Sequence, residues 1–175
     1  MPKIIENIRE NLLAEAKKQV MEQGYAAMTI RSVATACGVG VGTVYNYFPS
    51  KDMLIASFML EDWFICQKAI AIGCENAKDA KEALHCMYTQ LSAYKDKHAY
   101  LFEDAGAKEG FTSTSSAQRH ILLRDQLAEP LLLWTKKQSK TDAEFLATFL
   151  AESMLTWTMA GIEFEQIAAV LLQLL

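Results

Sequence analysis

No apolar run in the 175 residues reaches the ~18 needed to span a bilayer, so no membrane partner is expected. The opening MPKIIENIRENL sets charge and Asn among its apolar residues, which is not the make-up of a secretory leader, and a cytoplasmic location follows as the expectation. Cysteine is sparse. Cys37, Cys66, Cys74 and Cys86 show no C-x-x-C spacing, and a disulfide framework is disfavoured in a chain of this size without a secretion signal. The three histidines (His85, His98, His120) are scattered with none four from another, so no metal site reads out. His85 beside Cys86 is no exception, because adjacent helix positions point apart. Strand-like alternation bounded by hairpin turns is missing, as are repeats and low-complexity tracts. Paired carboxylates, a nucleophile flanked by a base and a phosphate loop in context are missing too, so neither an enzyme nor a cofactor is expected. The G-x-G-x-G of Gly38, Gly40 and Gly42 lacks the upstream strand that a nucleotide loop requires.

What is present is a chain 51% hydrophobic and 22% charged, the composition of an ordinary globular protein. Its net charge of -4 does not suggest a nucleic-acid partner. The distribution matters more than the sum. Residues 1–52 hold six Lys/Arg (Lys3, Arg9, Lys17, Lys18, Arg31, Lys51) against five acids (Glu6, Glu10, Glu15, Glu22, Asp52). The acidity therefore lies elsewhere, which permits DNA binding without arguing for it.

The periodicity is helical throughout, which predicts an all-α fold. Ile5, Ile8, Leu12, Ala16 and Val20 form one apolar stripe at spacings of three and four. That helix should stop at Gly24, in the left-handed conformation. Thr29 is a good N-cap for a short helix burying Ile30, Val33, Ala34 and Cys37, which Gly38 ends. Another short helix runs from Gly40 or Val41 through Phe48. Pro49-Ser50 breaks the chain, and Ser50 caps an apolar-rich helix reaching about Cys74, with Asp52 favourably placed in its first turn. Further helices are expected over Asp79–Lys97 and Ala99–Lys108. A loop at GFTSTSS should follow, with Ser115 or Ser116 capping a helix that Pro130 kinks or splits. KQSKTD reads as a linker, and Asp142–Met159 and Glu163–Leu175 as the last two helices. Two domains are expected: a helix-turn-helix over residues 1–52 and a helical domain over 53–175.

Residues 29–54, TIRSVATACGVGVGTVYNYFPSKDML, are two short helices around a tight turn at Gly38, packed through Val33, Ala34, Val39, Val44 and Phe48. The second is only about two turns long, ~12 Å at 1.5 Å per residue. Such a piece suits a DNA major groove better than a core. Its outward Thr43, Tyr45, Asn46 and Tyr47 are polar or phenolic. On these residues alone, a plain helical hairpin remains open.

The stretch resembles the DNA-binding signature of the TetR (tetracycline-repressor-like) family. The pattern is a Thr-capped helix with x-x-V-A, then G-V, G-T-[LV]-Y-x-[HY]-F, then S-K and an apolar residue. Thr29, Val33, Ala34, Gly38, Val39, Gly42, Thr43, Val44, Tyr45, Tyr47, Phe48, Ser50, Lys51 and Leu54 stand where it wants them, and Gly24-Tyr25 matches the helix before. The resemblance covers roughly residues 5–55. It implies double-stranded DNA with a palindromic operator as the partner, and phosphate contacts from Tyr47, Lys51, Thr29 and Tyr45. It places Thr43 near base edges and Asn46 within reach of an adenine, while Val41 or Gly42 permits close approach. Arg31 would reach a guanine or a phosphate. One departure stands out: Gly40 replaces the family's usual Ser cap, and Val41 a common Lys, Arg or Gln. Base readout should then be thin and shape readout larger.

The resemblance also implies a homodimer through the last two helices, and often a small-molecule effector pocket. The sequence supports dimerisation by itself, since terminal helices apolar on most sides must be buried by something. Phe145, Phe149, Leu150, Trp157, Ile167, Leu171 and Leu174 are the expected interface; these helices filling only their own core is the other reading. Trp63, Phe64, Tyr88, Tyr94, Tyr100, Phe102, Phe111, His120 and Trp134 are candidates to line an effector pocket, or simply a helical core. A dimeric, ligand-responsive repressor is the leading expectation. The alternative is a DNA-associated adaptor or co-activator whose C-terminal domain binds a partner protein.

Overall fold

The computed structural model describes residues 7–104, 114–137 and 142–175, all of whose regular structure is helical. The order is α1 (Ile8–Gln23), α2 (Ile30–Ala36), α3 (Val41–Tyr47), α4 (Lys51–Asn76), α5 (Ala80–Lys97), α6 (Ala99–Phe102), α7 (Thr114–Thr135), α8 (Ala143–Met159) and α9 (Phe164–Leu171), closed by a 3₁₀ turn at Leu172–Leu174. These form two compact units: residues 7–62 with 98–104, and residues 63–97 with 114–137 and 142–175. α4 begins in the first and ends in the second.

The N-terminal unit is built on the predicted stripe, with Leu12, Ala16 and Val20 of α1 buried. They meet Ile30, Val33 and Ala34 of α2, Val44 of α3, Phe48, Leu54, Ile55 and Phe58, and Leu101 of α6. Ile5 lies outside the described residues, and Cys37 is only half-buried. Gly24 ends α1 as expected, with its N–H donating to Val20 O at 2.9 Å. Its conformation differs from the expected one: φ is 84° but ψ is 166°, an extended region at positive φ that essentially only glycine uses. At Gly38 the left-handed cap is real. φ is 67°, Val39 N donates to Ala34 O at 3.0 Å and Gly38 N to Thr35 O at 3.1 Å, the paired bonds of a Schellman ending.

In the C-terminal unit Trp63, Ile70 and Cys74 of α4, Leu84, Met87 and Leu91 of α5, Leu127 and Leu131 of α7, Leu150 and Met154 of α8, and Ile167 and Leu171 of α9 share one core. Gly73 sits inside α4 because a Cβ there would lie 2.0 Å from Cys86 Sγ; the thiol of α5 fills that space. Pro130 does not split α7, which continues through it to Thr135. Ser115 and Ser116 fall inside α7 rather than at its cap. The expected helix at Ala99–Lys108 is helical only over Ala99–Phe102; residues 105–108 and most of the KQSKTD linker lie outside the described residues. Among the described residues no helix is long and apolar enough to cross a membrane, and no three His, Cys, Asp or Glu gather as a metal site.

Candidate nucleic-acid interface

The site is assembled from the start of α2, all of α3 and the start of α4. Thr29 caps α2: Ser32 N donates to Thr29 Oγ1 at 3.0 Å and Thr29 N donates to Ser32 Oγ at 3.1 Å, a reciprocal capping box. The Thr29 hydroxyl proton is not consumed by that bond, so the exposed side chain keeps a donor. Ser32 was not foreseen as part of the site. Its hydroxyl also reaches Gln19 Oε1 at 2.6 Å, and Gln19 Nε2 donates to Glu15 Oε1 at 2.8 Å, tying the start of α2 to α1. The sequence signal was available in T-x-x-S, a capping box with Ser in place of Glu or Gln.

α3 turns one side chain, Val44, fully inward, and Phe48 follows it into the core. Val41, Gly42, Tyr45, Asn46 and Tyr47 are exposed, with Tyr45 at 51% and Tyr47 at 48%, and Thr43 is half-buried. Both phenols keep about half of their surface in solvent, and Tyr47 has its ring 6.4 Å from that of Phe48. Arg31 is exposed in the first turn of α2. Gly40 caps α3 through its backbone alone, in the extended conformation (φ -71°, ψ 147°). A Cβ on Gly42 would meet nothing within 4 Å, so α3 presents bare backbone there.

Lys51 opens α4 below Ser50, whose Oγ accepts from Met53 N at 3.1 Å as the predicted cap. Unlike the tyrosines, Lys51 is half-buried and turned back onto the link after α1. Its ammonium donates to the Tyr25 carbonyl and lies 4.0 Å from the centroid of the Tyr25 ring. Burial lowers its pKa, and Asp52 and Asp104 oppose that shift. Tyr25 in turn donates to Asp52 Oδ1 at 2.6 Å, and its own pKa is pushed up to about 12 by burial first and the Asp52 bond second.

The electrostatics of this surface were legible in a feature that sequence reasoning passed over. From Gly24 through Lys51 there is no Asp or Glu, although the chain has 21 of them, and the window holds Arg31 and Lys51. An interface for a polyanion needs that vacancy more than it needs many lysines.

Of the residues proposed for an effector pocket, Trp63, Tyr88, Tyr94 and Trp134 share the C-terminal core, while Phe64, Tyr100, Phe102 and His120 lie outside it. Trp63 and Trp134 are core residues; their indole N–H groups donate to Gln126 Oε1 at 2.8 Å and Cys74 O at 3.3 Å. Tyr94 meets Trp63 edge-on at 5.4 Å, and Tyr88 packs on Phe164 at 5.5 Å. Phe64 is exposed, and His120 lies on the surface 2.9 Å from Glu152 Oε1. Phe102 and Tyr100 belong to the N-terminal unit, and Phe111 lies outside the described residues. An open groove of about 400 Å³ instead lies between α4 and α7, lined by Gln67, Ala71, Glu75, Gln126, Glu129, Pro130 and Leu133. The expected dimer residues also divide. Leu150, Ile167 and Leu171 are buried in this chain's own core and offer no surface to a second copy, because each turns to the inner side of its helix. Phe145 (68% exposed), Phe149 (43%) and Leu174 face outward, and Trp157 is half-buried.

Residues 12–58 match the profile of bacterial regulatory proteins, tetR family. The chain is 37% identical over 54 residues to the HTH-type transcriptional regulator HbdR of Aromatoleum sp. (strain CIB), a stretch that is 31% of this chain and 24% of that regulator. The match thus spans about a quarter of the relative's length. Over the whole chain the similarity is one of fold. A transcriptional regulator from Cytophaga hutchinsonii superposes with a TM-score of 0.70 at 17% identity, covering 94% of this chain and 96% of that one. Thermus thermophilus FadR, a repressor solved in complex with lauroyl-CoA, gives 0.65 at 17% identity, covering 95% and 94%.

Proposed function

We propose that this chain, whose residues 12–58 match the tetR family of bacterial regulatory proteins, is a sequence-specific DNA-binding transcriptional regulator of that family, a cytoplasmic homodimer that represses from a palindromic operator and is released by a small molecule. The observation that carries the reading is α3, a two-turn helix exposing Tyr45, Asn46 and Tyr47 within a stretch, Gly24 to Lys51, that holds no Asp or Glu. In this reading the hydroxyls of Tyr47, Tyr45 and Thr29, with the Lys51 ammonium, grip phosphates. Thr43 and Asn46 meet base edges, the bare backbone at Gly42 allows close approach, and Val41 adds apolar contact. Arg31 reaches a guanine or a phosphate. A second copy covers Phe145 and Phe149 of α8 together with Val170 and Leu174, all large, apolar and exposed. The groove between α4 and α7, rather than the aromatic set, is the place we give an effector. No step of this function asks for catalysis.

Selection of bound duplexes from a random pool, repeated with a metabolite extract, tests the reading. Enrichment of a palindrome that an extract component abolishes is the expected result. Absence of any enriched duplex would overturn it.

A further inference from the structure

Lys51 and Asp52 are opposite charges on adjacent residues at the start of α4, and the Asp52 charge is felt at the Lys51 ammonium. Tyr25 touches both at different points. Its carbonyl and ring hold the ammonium, and its hydroxyl, at the far end of the same ring, holds the carboxylate at 2.6 Å. An ammonium has three donors, of which the Tyr25 carbonyl takes one. A carboxylate that closed on Lys51 would take another and cancel the charge that displaces counterions from a phosphate.

We infer that Tyr25 is a positioning residue for the backbone grip on DNA: it holds Asp52 away from Lys51 and so keeps the ammonium available to a phosphate. The inference rests on the proposed DNA-binding role. Tyr25 makes no contact with DNA in this account; it acts through Lys51. Asp104, whose Oδ2 would lie 4.0 Å from a Cβ on Gly24, adds a second negative charge that is felt at both Tyr25 and Lys51 and is present unchanged in every variant below.

The experiment compares the full-length chain, Tyr25→Phe, Asp52→Asn and the double variant on a duplex selected by the wild type. Anisotropy titrations at several salt concentrations give Kd and its salt slope, and thermal melts establish that all four are folded. Tyr25→Phe keeps the ring and the carbonyl and frees Asp52 alone. It should lower the salt slope by about 0.9, which makes its loss of affinity about 3.5-fold larger at 50 mM than at 200 mM salt. When Asp52→Asn is already present, adding Tyr25→Phe should leave the slope where it was. Equal losses with and without Asp52→Asn, or no loss in either case, would mean that Tyr25 merely packs, and would overturn the inference. A folded wild type that selects no duplex overturns the DNA-binding reading itself, an outcome separate from either pattern of variants.

Discussion

The two units of this chain bury apolar side chains in the same way but expose very different things. The N-terminal unit keeps a small core and leaves outside a set of hydroxyls, an amide and an arginine at fixed places on two short helices. The C-terminal unit has the larger core, and besides an ordinary charged surface it leaves large apolar side chains outside, such as Phe64, Ile65, Phe145 and Phe149. A surface of directed donors can be read for its ligand, because hydroxyl and amide groups at set positions ask for a defined complement. An apolar surface says only that something covers it. Residues 12–58 match the family profile, whereas over nearly the whole chain the likeness to a solved regulator is one of fold, at 17% identity.

The comparison breaks most forcefully on α8, where core and surface positions alternate. Leu150→Ala removes a fully buried side chain and should destabilise the C-terminal unit by about 2–5 kcal/mol, read from urea unfolding. Phe149→Ala, next in the chain but exposed, should shift the unfolding of the dissociated chain by no more than about 0.5 kcal/mol. Its effect should appear instead in sedimentation, as weaker self-association. An undiminished association constant would remove Phe149 from the proposed interface.

In the N-terminal unit the sensitive point is backbone rather than side chain. Gly38 has φ 67° and open space where a Cβ would stand, so Gly38→Ala pays only the left-handed penalty of about 1–2 kcal/mol. Gly38→Asn should recover part of that loss in a thermal melt, since Asn visits this region more readily. Equal melting temperatures for wild type and Gly38→Ala would show that the turn between α2 and α3 relaxes to another ending.

Much of this unit was legible because each local device is short-range. Thr29, Gly38 and Ser50 act on residues at most five positions away, and each sits at the helix end it was expected to mark. Long-range packing was not legible. Nothing in the sequence says that Gly73 is the slot for Cys86, that Lys51 turns back onto Tyr25, or that Leu150 faces inward while Phe149 faces out. Aromatic residues were ambiguous for the same reason: Trp63, Tyr88, Tyr94 and Trp134 suit a pocket and a core equally, and only their neighbours show them in the core. The acid-free window from Gly24 to Lys51 was readable and was the stronger electrostatic signal.

The smallest effects are the most informative about how α3 meets its ligand, because there stability and binding should move in opposite directions. Gly42→Ala adds a methyl group into open space on a helix and should stabilise the unit by about 0.8–1.0 kcal/mol. If DNA packs against the bare backbone at Gly42, the same methyl must weaken operator binding. Gly40→Ser is finer still. The backbone at residue 40 already has the extended conformation of a cap, and a Cβ there meets Thr43 Oγ1 at an ordinary 3.9 Å. A serine hydroxyl can accept from the first-turn N–H groups of α3 and should add a few tenths of a kcal/mol. Operator affinity should then hold or rise slightly, because the cap lies at the start of the helix rather than on its exposed face. A stabilised Gly42→Ala that binds the operator as tightly as the wild type would mean that DNA does not approach α3 at Gly42. A Gly40→Ser variant that loses binding would place the contact at the cap instead.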